Sequence, residues 1–193
     1  MENPSVHKLT GFIDSMCSDL FSFGYFISGH IGAFKTYSKD LHAFYGDRME
    51  ELRLWDPSLS PIFPNSVFAA ATFNFGPVVR TYRHKDFNNF SLGWCSITAL
   101  GDYDPKTGGH VVFWEAKVLI EFPPGSTIFI PSALVSHSNT PISPGERRQS
   151  FTQYTAGGIF RFIACGFQTK ASLPKDAVMK QWWDRGKTFF KRD

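Results

Sequence analysis

The sequence predicts a mostly β domain of the α+β class, a sandwich or barrel of about six to eight strands with helices on either side of it. Three observations carry that expectation. Short alternating segments recur from Val67 to Phe167, roughly 8 to 12 residues apart, with glycine and proline between them. The residues before them, about 8 to 54, instead carry apolar side chains at steps of three and four. Finally, 21 of the 193 residues are phenylalanine, whose flat, bulky rings suit a β-rich core.

The elements follow in order. "HKLTGFIDSMCSDLFSFGYF" and "FKTYSKDLHAFYGDRMEELRLW" read as helices, separated by a break at "GHIGAF". Asp56 to Ser66 holds three prolines and reads as a loop. "SVFAAATFNFG" is the first strand, closed by Gly76-Pro77, and "LGWCSITALGDY" is the second. "GGHVVFWEAKVLIEF" offers two more around a turn near Glu115, and "GSTIFIPSALVSHSN" gives a short apolar run with His137 at its end. "RRQSFTQYTAGGIFRFIACGF" reads as two strands split near Gly157-Gly158. The tail "SLPKDAVMKQWWDRGKTFFKR" predicts a helix, with Ser172 as cap, Pro174 in the first turn, and Val178, Met179, Trp182 and Trp183 as its packing face. The expected organisation is a helical lead-in over 1–64 packed on the core, a β core over 65–170 and a C-terminal helix over 171–193.

Composition bounds the function. Charged residues make up 19% and hydrophobic residues 42%, the balance of a globular chain. A net charge of +3 and a pI near 8.8 permit a polyanionic partner without requiring one. Cys17, Cys95 and Cys165 are scattered and odd in number, which favours free thiols in a reducing nuclear or cytoplasmic setting over a disulfide framework. The N-terminal stretch lacks a basic segment followed by an apolar run, so no signal peptide is expected. Nor does any apolar run approach the roughly 18 residues of a membrane span.

The chemistry-bearing residues sit where the β region is punctuated. In "RTYRHKDFNN", His84 and Asp86 are two apart, so on extended chain they point to one side while Lys85 points away. With His137 they make the ligand set of a two-histidine, one-carboxylate facial triad, which leaves half the coordination sphere of Fe(II) open. Alone, an H-x-D and a later histidine form a common chance pattern, and a histidine at a strand end is ordinarily a hydrogen-bonded surface residue. Arg148, in "GERRQSFTQY", adds weight. On a strand it shares a face with Ser150, Thr152 and Tyr154, and a buried arginine needs an anion. A carboxylate held by two parallel hydrogen bonds meets that need, with the Ser150 hydroxyl as a third donor. Arg147, facing the other way, is the competing assignment. A solvated arginine pair is the plain alternative. His110 in "GGHVVF" reads as structural or as a group behind the ligands, and His7, His30 and His42 read as non-ligands.

These residues, with "GGHVVF", "PPGSTIFIPS" and "SHSNTPI" in order between them, resemble the 2-oxoglutarate/Fe(II)-dependent dioxygenases. The resemblance is strongest to the Tet/J-binding-protein group, in its fungal branch. It covers about residues 65 to 168 and implies a double-stranded β-helix (jelly-roll) core. In that group an Asn three residues after the Asp hydrogen-bonds the target base, and Asn89 stands there. An R-x-S strand with a Tyr six residues after the Arg is matched by Arg148, Ser150 and Tyr154. The chain departs from the group in having Ala156 where a base-packing His stands, and in lacking the cysteine-rich zinc module of animal members. Those departures bear on the identity of the base.

The resemblance implies Fe(II) on His84, Asp86 and His137, 2-oxoglutarate on Arg148 and Ser150, and O2 as co-substrate. It implies oxidation of a methyl group on a flipped nucleic-acid base, in DNA by first choice, with Asn89 and Tyr154 around it. The expected substrate is 5-methylcytosine, so the reaction belongs to DNA demethylation; N6-methyladenine and thymine come next. "RTYR" and "KTFFKR" are candidate phosphate contacts, or simply solvated charge. Three other readings compete. They are a hydroxylase of a small metabolite or protein side chain, a binding module that has lost catalysis, and a cupin-like metal protein.

Overall fold

The structure is a computed structural model that describes residues 32–61 and 63–169. The first expected helix, Cys17, His7, His30, "KTFFKR" and the expected C-terminal helix all lie outside those residues. Two helices and seven strands are built in the order α1 (Lys39–Trp55), β1 (Ala70–Asn74), β2 (Cys95–Asp102), β3 (Val111–Phe113), β4 (Val118–Ile120), β5 (Thr127–Ile130), β6 (His137–Asn139), β7 (Arg147–Tyr154) and α2 (Gly157–Ala164). Residues 32–37 are helical as well, just ahead of α1.

The strands form two sheets, one of four in the order β1-β7-β2-β5 and one of three in the order β4-β3-β6. Every pairing is antiparallel. The chain is therefore mostly antiparallel β with a few helices. A cluster of Ala99, Tyr103, Val111 and Phe122 draws on both sheets, with Ile97, Phe113, Ile128 and Ile142 against it. Gly109, at φ 71°, opens the way into β3. A Cβ there would meet the Tyr103 ring, so the residue needs both glycine's left-handed backbone and its bareness.

The helical side has its own core. Leu41, Tyr45 and Met49 recur every fourth residue along α1, so they share one face of the helix, and all three are buried. They join Phe34, Val67, Phe68, Phe90, Phe160 and Ile163 in one cluster. Phenylalanine supplies much of it, with the rings of Phe160 4.9 Å from Tyr45 and 4.5 Å from Phe90. Tyr45 also donates to the backbone oxygen of Trp94 at 3.1 Å, tying helix to sheet.

Two expectations are corrected. The stretch after Gly157-Gly158 is the helix α2 and not a strand. "GIFRFIA" offers both an alternating and a helical reading, and burial favours the second. Phe160 and Ile163, three apart, are buried while Arg161 and Ala164 are exposed. His137 does not close the strand formed by "TIFI". It opens the separate strand β6, which pairs with β3. Cys95 and Cys165 are free thiols, as expected, and no helix among the described residues is long and apolar enough to cross a membrane.

Candidate metal centre and its cavity

The segment 83–86 and strand β6 meet through their two histidines. His84 donates its amide to the His137 carbonyl at 3.1 Å, and His137 returns the bond at 2.9 Å. In such a closed antiparallel pair both side chains leave on one face of the sheet. The rings are accordingly 4.3 Å apart. Asp86, two residues on, points the same way, and its amide donates to Ser132 O at 2.9 Å.

The three side chains converge. One ligand atom from each of His84, Asp86 and His137 lies within 4.8 Å of the others, a spacing one ion can bridge. His84 Nε2 is 3.6 Å from Asp86 Oδ1, and His137 Nε2 is 3.8 Å from Asp86 Oδ2, both too long for hydrogen bonds. The outer ring nitrogens explain the orientation. His84 Nδ1 donates to Tyr82 O at 2.7 Å and His137 Nδ1 to Val135 O at 3.0 Å. A carbonyl can only accept, so the proton of each neutral ring sits on Nδ1 and the lone pair on Nε2 faces the centre. Burial, helped by the neighbouring His84 ring, pulls the His137 imidazole below its usual range despite the Val135 carbonyl and Asp86, which favours the neutral ligand form. With the rings neutral, two lone pairs and a carboxylate face one another. That donor set suits a metal cation.

The centre opens into a cavity of about 540 Å³ between the sheets, within the usual range for ligand sites. Strand β7 gives it Arg148, Ser150, Thr152 and Tyr154, the alternate residues that share one face. Arg148 is only 4% exposed. Its Nη1 donates to Val79 O at 3.2 Å, its Nε has no partner, and no carboxylate lies within ion-pair distance among the described residues. Burial lowers its pKa while Tyr103 opposes that, yet a guanidinium does not give up its proton, so a buried positive charge remains. Arg147 is exposed and does not line the cavity. Ser150 Oγ accepts from Asn74 Nδ2 at 2.9 Å, which leaves its own hydrogen to donate. The buried Arg148 charge and the Ser150 hydroxyl thus share one cavity wall, a pair that fits a carboxylate.

Asn89 donates its amide to Ser132 Oγ at 2.9 Å and stands 3.4 Å from Asp86 Oδ2. Asp86 only accepts, so the Asn89 nitrogen faces it and Oδ1 is left without a donor among the described residues. Tyr154, also in the cavity lining, accepts from Thr72 Oγ1 at 3.3 Å. His110 lies elsewhere, its backbone and ring nitrogens both 3.0 Å from Thr140 Oγ1. His42 packs edge-on against Phe34. Sequence reasoning missed Asn74, Ser132 and Glu115. Ser132 closes the quoted motif "PPGSTIFIPS" without a role of its own there, and each of the three acts through a partner far along the chain.

No family model matches the chain, and no curated protein matches it. Among solved structures, the chain is similar to NgTET1 in complex with 5mC DNA, with 15% identity and a TM-score of 0.44 over 84% of this chain and 61% of that one. It is also similar to the viral collagen prolyl hydroxylase vCPH from Paramecium Bursaria Chlorella virus-1 in its 2OG complex. That likeness has 16% identity and a TM-score of 0.33, over 55% of this chain and 69% of that one. The chain thus spans 61% of the length of the NgTET1 structure.

Proposed function

We propose that the chain is an Fe(II)/2-oxoglutarate-dependent dioxygenase with a double-stranded β-helix core, and that it oxidises a methyl group on a flipped nucleic-acid base. The observation that carries the reading is the pairing of two features in one cavity. His84, Asp86 and His137 bring three ligand atoms within 4.8 Å of one another, and Arg148 stands buried in the same cavity with no carboxylate partner among the described residues. A metal centre beside a built carboxylate site is the minimum this chemistry needs. When bound, iron and 2-oxoglutarate with O2 supply oxidation of an unactivated C–H bond, with succinate and CO2 as co-products.

The chain's own residues divide the remaining work. Arg148 and Ser150 hold the far carboxylate of the co-substrate and so fix its keto-acid end toward the metal ligands. Asn89 offers Oδ1 as an acceptor, which suits the exocyclic amino group of cytosine or adenine, whereas thymine could meet it only through its ring N3–H. That supports 5-methylcytosine first and N6-methyladenine next. Tyr154 walls the pocket too. Thr72, Asn74, Asn88 and Thr152 add neutral hydrogen-bonding groups to the lining, and Phe87, Ile97 and Val111 add apolar ones, a mixture that suits a nucleobase.

The approach to the site supports a nucleic-acid partner over a metabolite. Arg80 lies over Tyr82 at 5.1 Å and Arg83 over Trp114 at 5.0 Å. Both arginines are exposed, and Phe87, at the cavity, is 81% exposed. Guanidinium groups laid on aromatic faces suit phosphates and unstacked bases together. The test is succinate release with Fe(II), 2-oxoglutarate and a methylated oligonucleotide. We expect release to depend on all three and to disappear in Asp86→Ala. Release stimulated by small metabolites or peptides, with no response to any methylated oligonucleotide, would favour the hydroxylase alternative.

A further inference from the structure

One turn grips the outer side of both histidine segments. Arg83 and Lys85 flank His84, and Ser136 and Ser138 flank His137. The turn between β3 and β4 presents Trp114 and Glu115 to these four residues. Glu115 Oε1 accepts from Lys85 Nζ at 3.2 Å and from the Ser136 hydroxyl at 2.7 Å, and Oε2 accepts from the Ser136 amide at 2.8 Å. Trp114 donates its indole N–H to Ser138 Oγ at 3.1 Å and carries the Arg83 guanidinium on its ring. Its amide also donates to Ser136 O at 3.1 Å. Two consecutive residues thus hold all four neighbours of the two histidines.

The geometry gives this grip a purpose. On extended chain, neighbours of a cavity-facing residue face outward. Lys85 and Ser138 also touch the cavity, but neither Trp114 nor Glu115 lines it, so a clasp by these two sets the distance and twist between the segments from outside. Inside, the 84–137 pair is an isolated bridge and not a ladder. Its two hydrogen bonds are joined on one side by Asn139, which ties its amide and its Oδ1 to Thr81, while toward Lys85 and Ser136 the hold comes from the turn outside. The outer contacts also involve charge: a carboxylate takes two hydrogen bonds from Ser136 and one from an ammonium, the stronger class of bond.

We propose that Trp114 and Glu115 form the positioning unit of the metal centre. Together they hold the His84–Asp86 segment against the His137 segment from outside, so that the ligand atoms already converge before a metal arrives. The proposal rests on the metal-centre reading above.

The test measures Mn(II) and Co(II) binding by calorimetry on the full chain, for wild type, Glu115→Ala, Glu115→Gln and Trp114→Phe. Circular dichroism checks the fold of each. Groups that orient metal ligands are worth about 10- to 100-fold in affinity, so Glu115→Ala is expected to weaken binding by about that factor. Glu115→Gln, which keeps one acceptor for Ser136, and Trp114→Phe, which loses only the bond to Ser138, should lose less. The visible absorption of bound Co(II) should change shape in Glu115→Ala, a signature that a purely structural role would not move. Wild-type affinity in a folded Glu115→Ala overturns the clasp alone. If that variant does not fold, unchanged affinity in both Glu115→Gln and Trp114→Phe does the same. A wild-type chain that binds neither ion removes the metal-centre reading, and the clasp with it.

Discussion

His84 and His137 exchange both backbone hydrogen bonds, at 3.1 and 2.9 Å, and this single bridge brings their rings to 4.3 Å. The backbone pairing thus puts both rings on one face, and contacts on the outer side of the segments hold that pairing in place. Replacing one ring should remove the site and spare the fold. His84 and Asp86 are partly exposed and support no core cluster. For His84→Ala we expect loss of tight Co(II) binding in calorimetry, with a melting temperature within a few degrees of wild type.

Arg148 and Arg147 are adjacent and opposite. Only Arg148 has its guanidinium buried in the cavity wall. Two charge-assisted hydrogen bonds to a carboxylate are worth about 3 kcal/mol together, or about 100-fold in affinity. Arg148→Ala should therefore raise the 2-oxoglutarate concentration needed for half-maximal succinate release by about that factor. Arg147→Ala should leave it unchanged. The reverse pattern would make Arg147 the anchor.

Acid should loosen the clasp. Hydrogen bonds from Ser136, with help from Lys85, hold the Glu115 carboxyl down at about 2 against an ordinary 4.5, although desolvation works the other way. A proton therefore binds the unfolded chain more tightly than the folded one. The stabilisation is fully present above about pH 4.5 and is lost as pH falls toward 2. Thermal melts of the metal-free protein across that range should fall more steeply for wild type than for Glu115→Gln. Parallel curves would contradict the assignment.

Phe160 is fully buried among Phe44, Tyr45 and Phe90. It joins α2 to α1 in a cluster that contains none of the three ligands. Phe160→Ala should cost about 3–5 kcal/mol in urea unfolding. At temperatures where the variant remains folded, its affinity for Co(II) should match wild type. A stability loss below about 1 kcal/mol would mean that the helices are not packed on the core as described.

Much of the site was legible because it follows short periods. His84 and Asp86 share a side by the two-residue repeat of extended chain, and so do Arg148, Ser150, Thr152 and Tyr154. The β region was legible from alternation and turn residues, and α1 from its three- and four-residue steps. What escaped depends on contacts between distant segments. "GIFRFIA" satisfies both periods, and only the apolar pocket formed with α1 selects the helix. The start of β6 at His137 depends on its pairing with β3, which no local pattern encodes. Glu115 reads as one polar residue in a turn, because its partners Lys85 and Ser136 belong to other segments. Asn89 was expected to read a base. Its nitrogen is instead engaged by Ser132 and Asp86, which leaves only Oδ1 for that task.

The central claim is that this cavity oxidises a nucleobase. The direct measurement is mass spectrometry of nucleosides from DNA carrying 5-methylcytosine or N6-methyladenine, after incubation with the chain, Fe(II), 2-oxoglutarate and O2. An oxidised methylated nucleoside should appear with wild type and be absent with Asp86→Ala and Arg148→Ala. Conversion of 2-oxoglutarate to succinate with every methylated base left intact would contradict it.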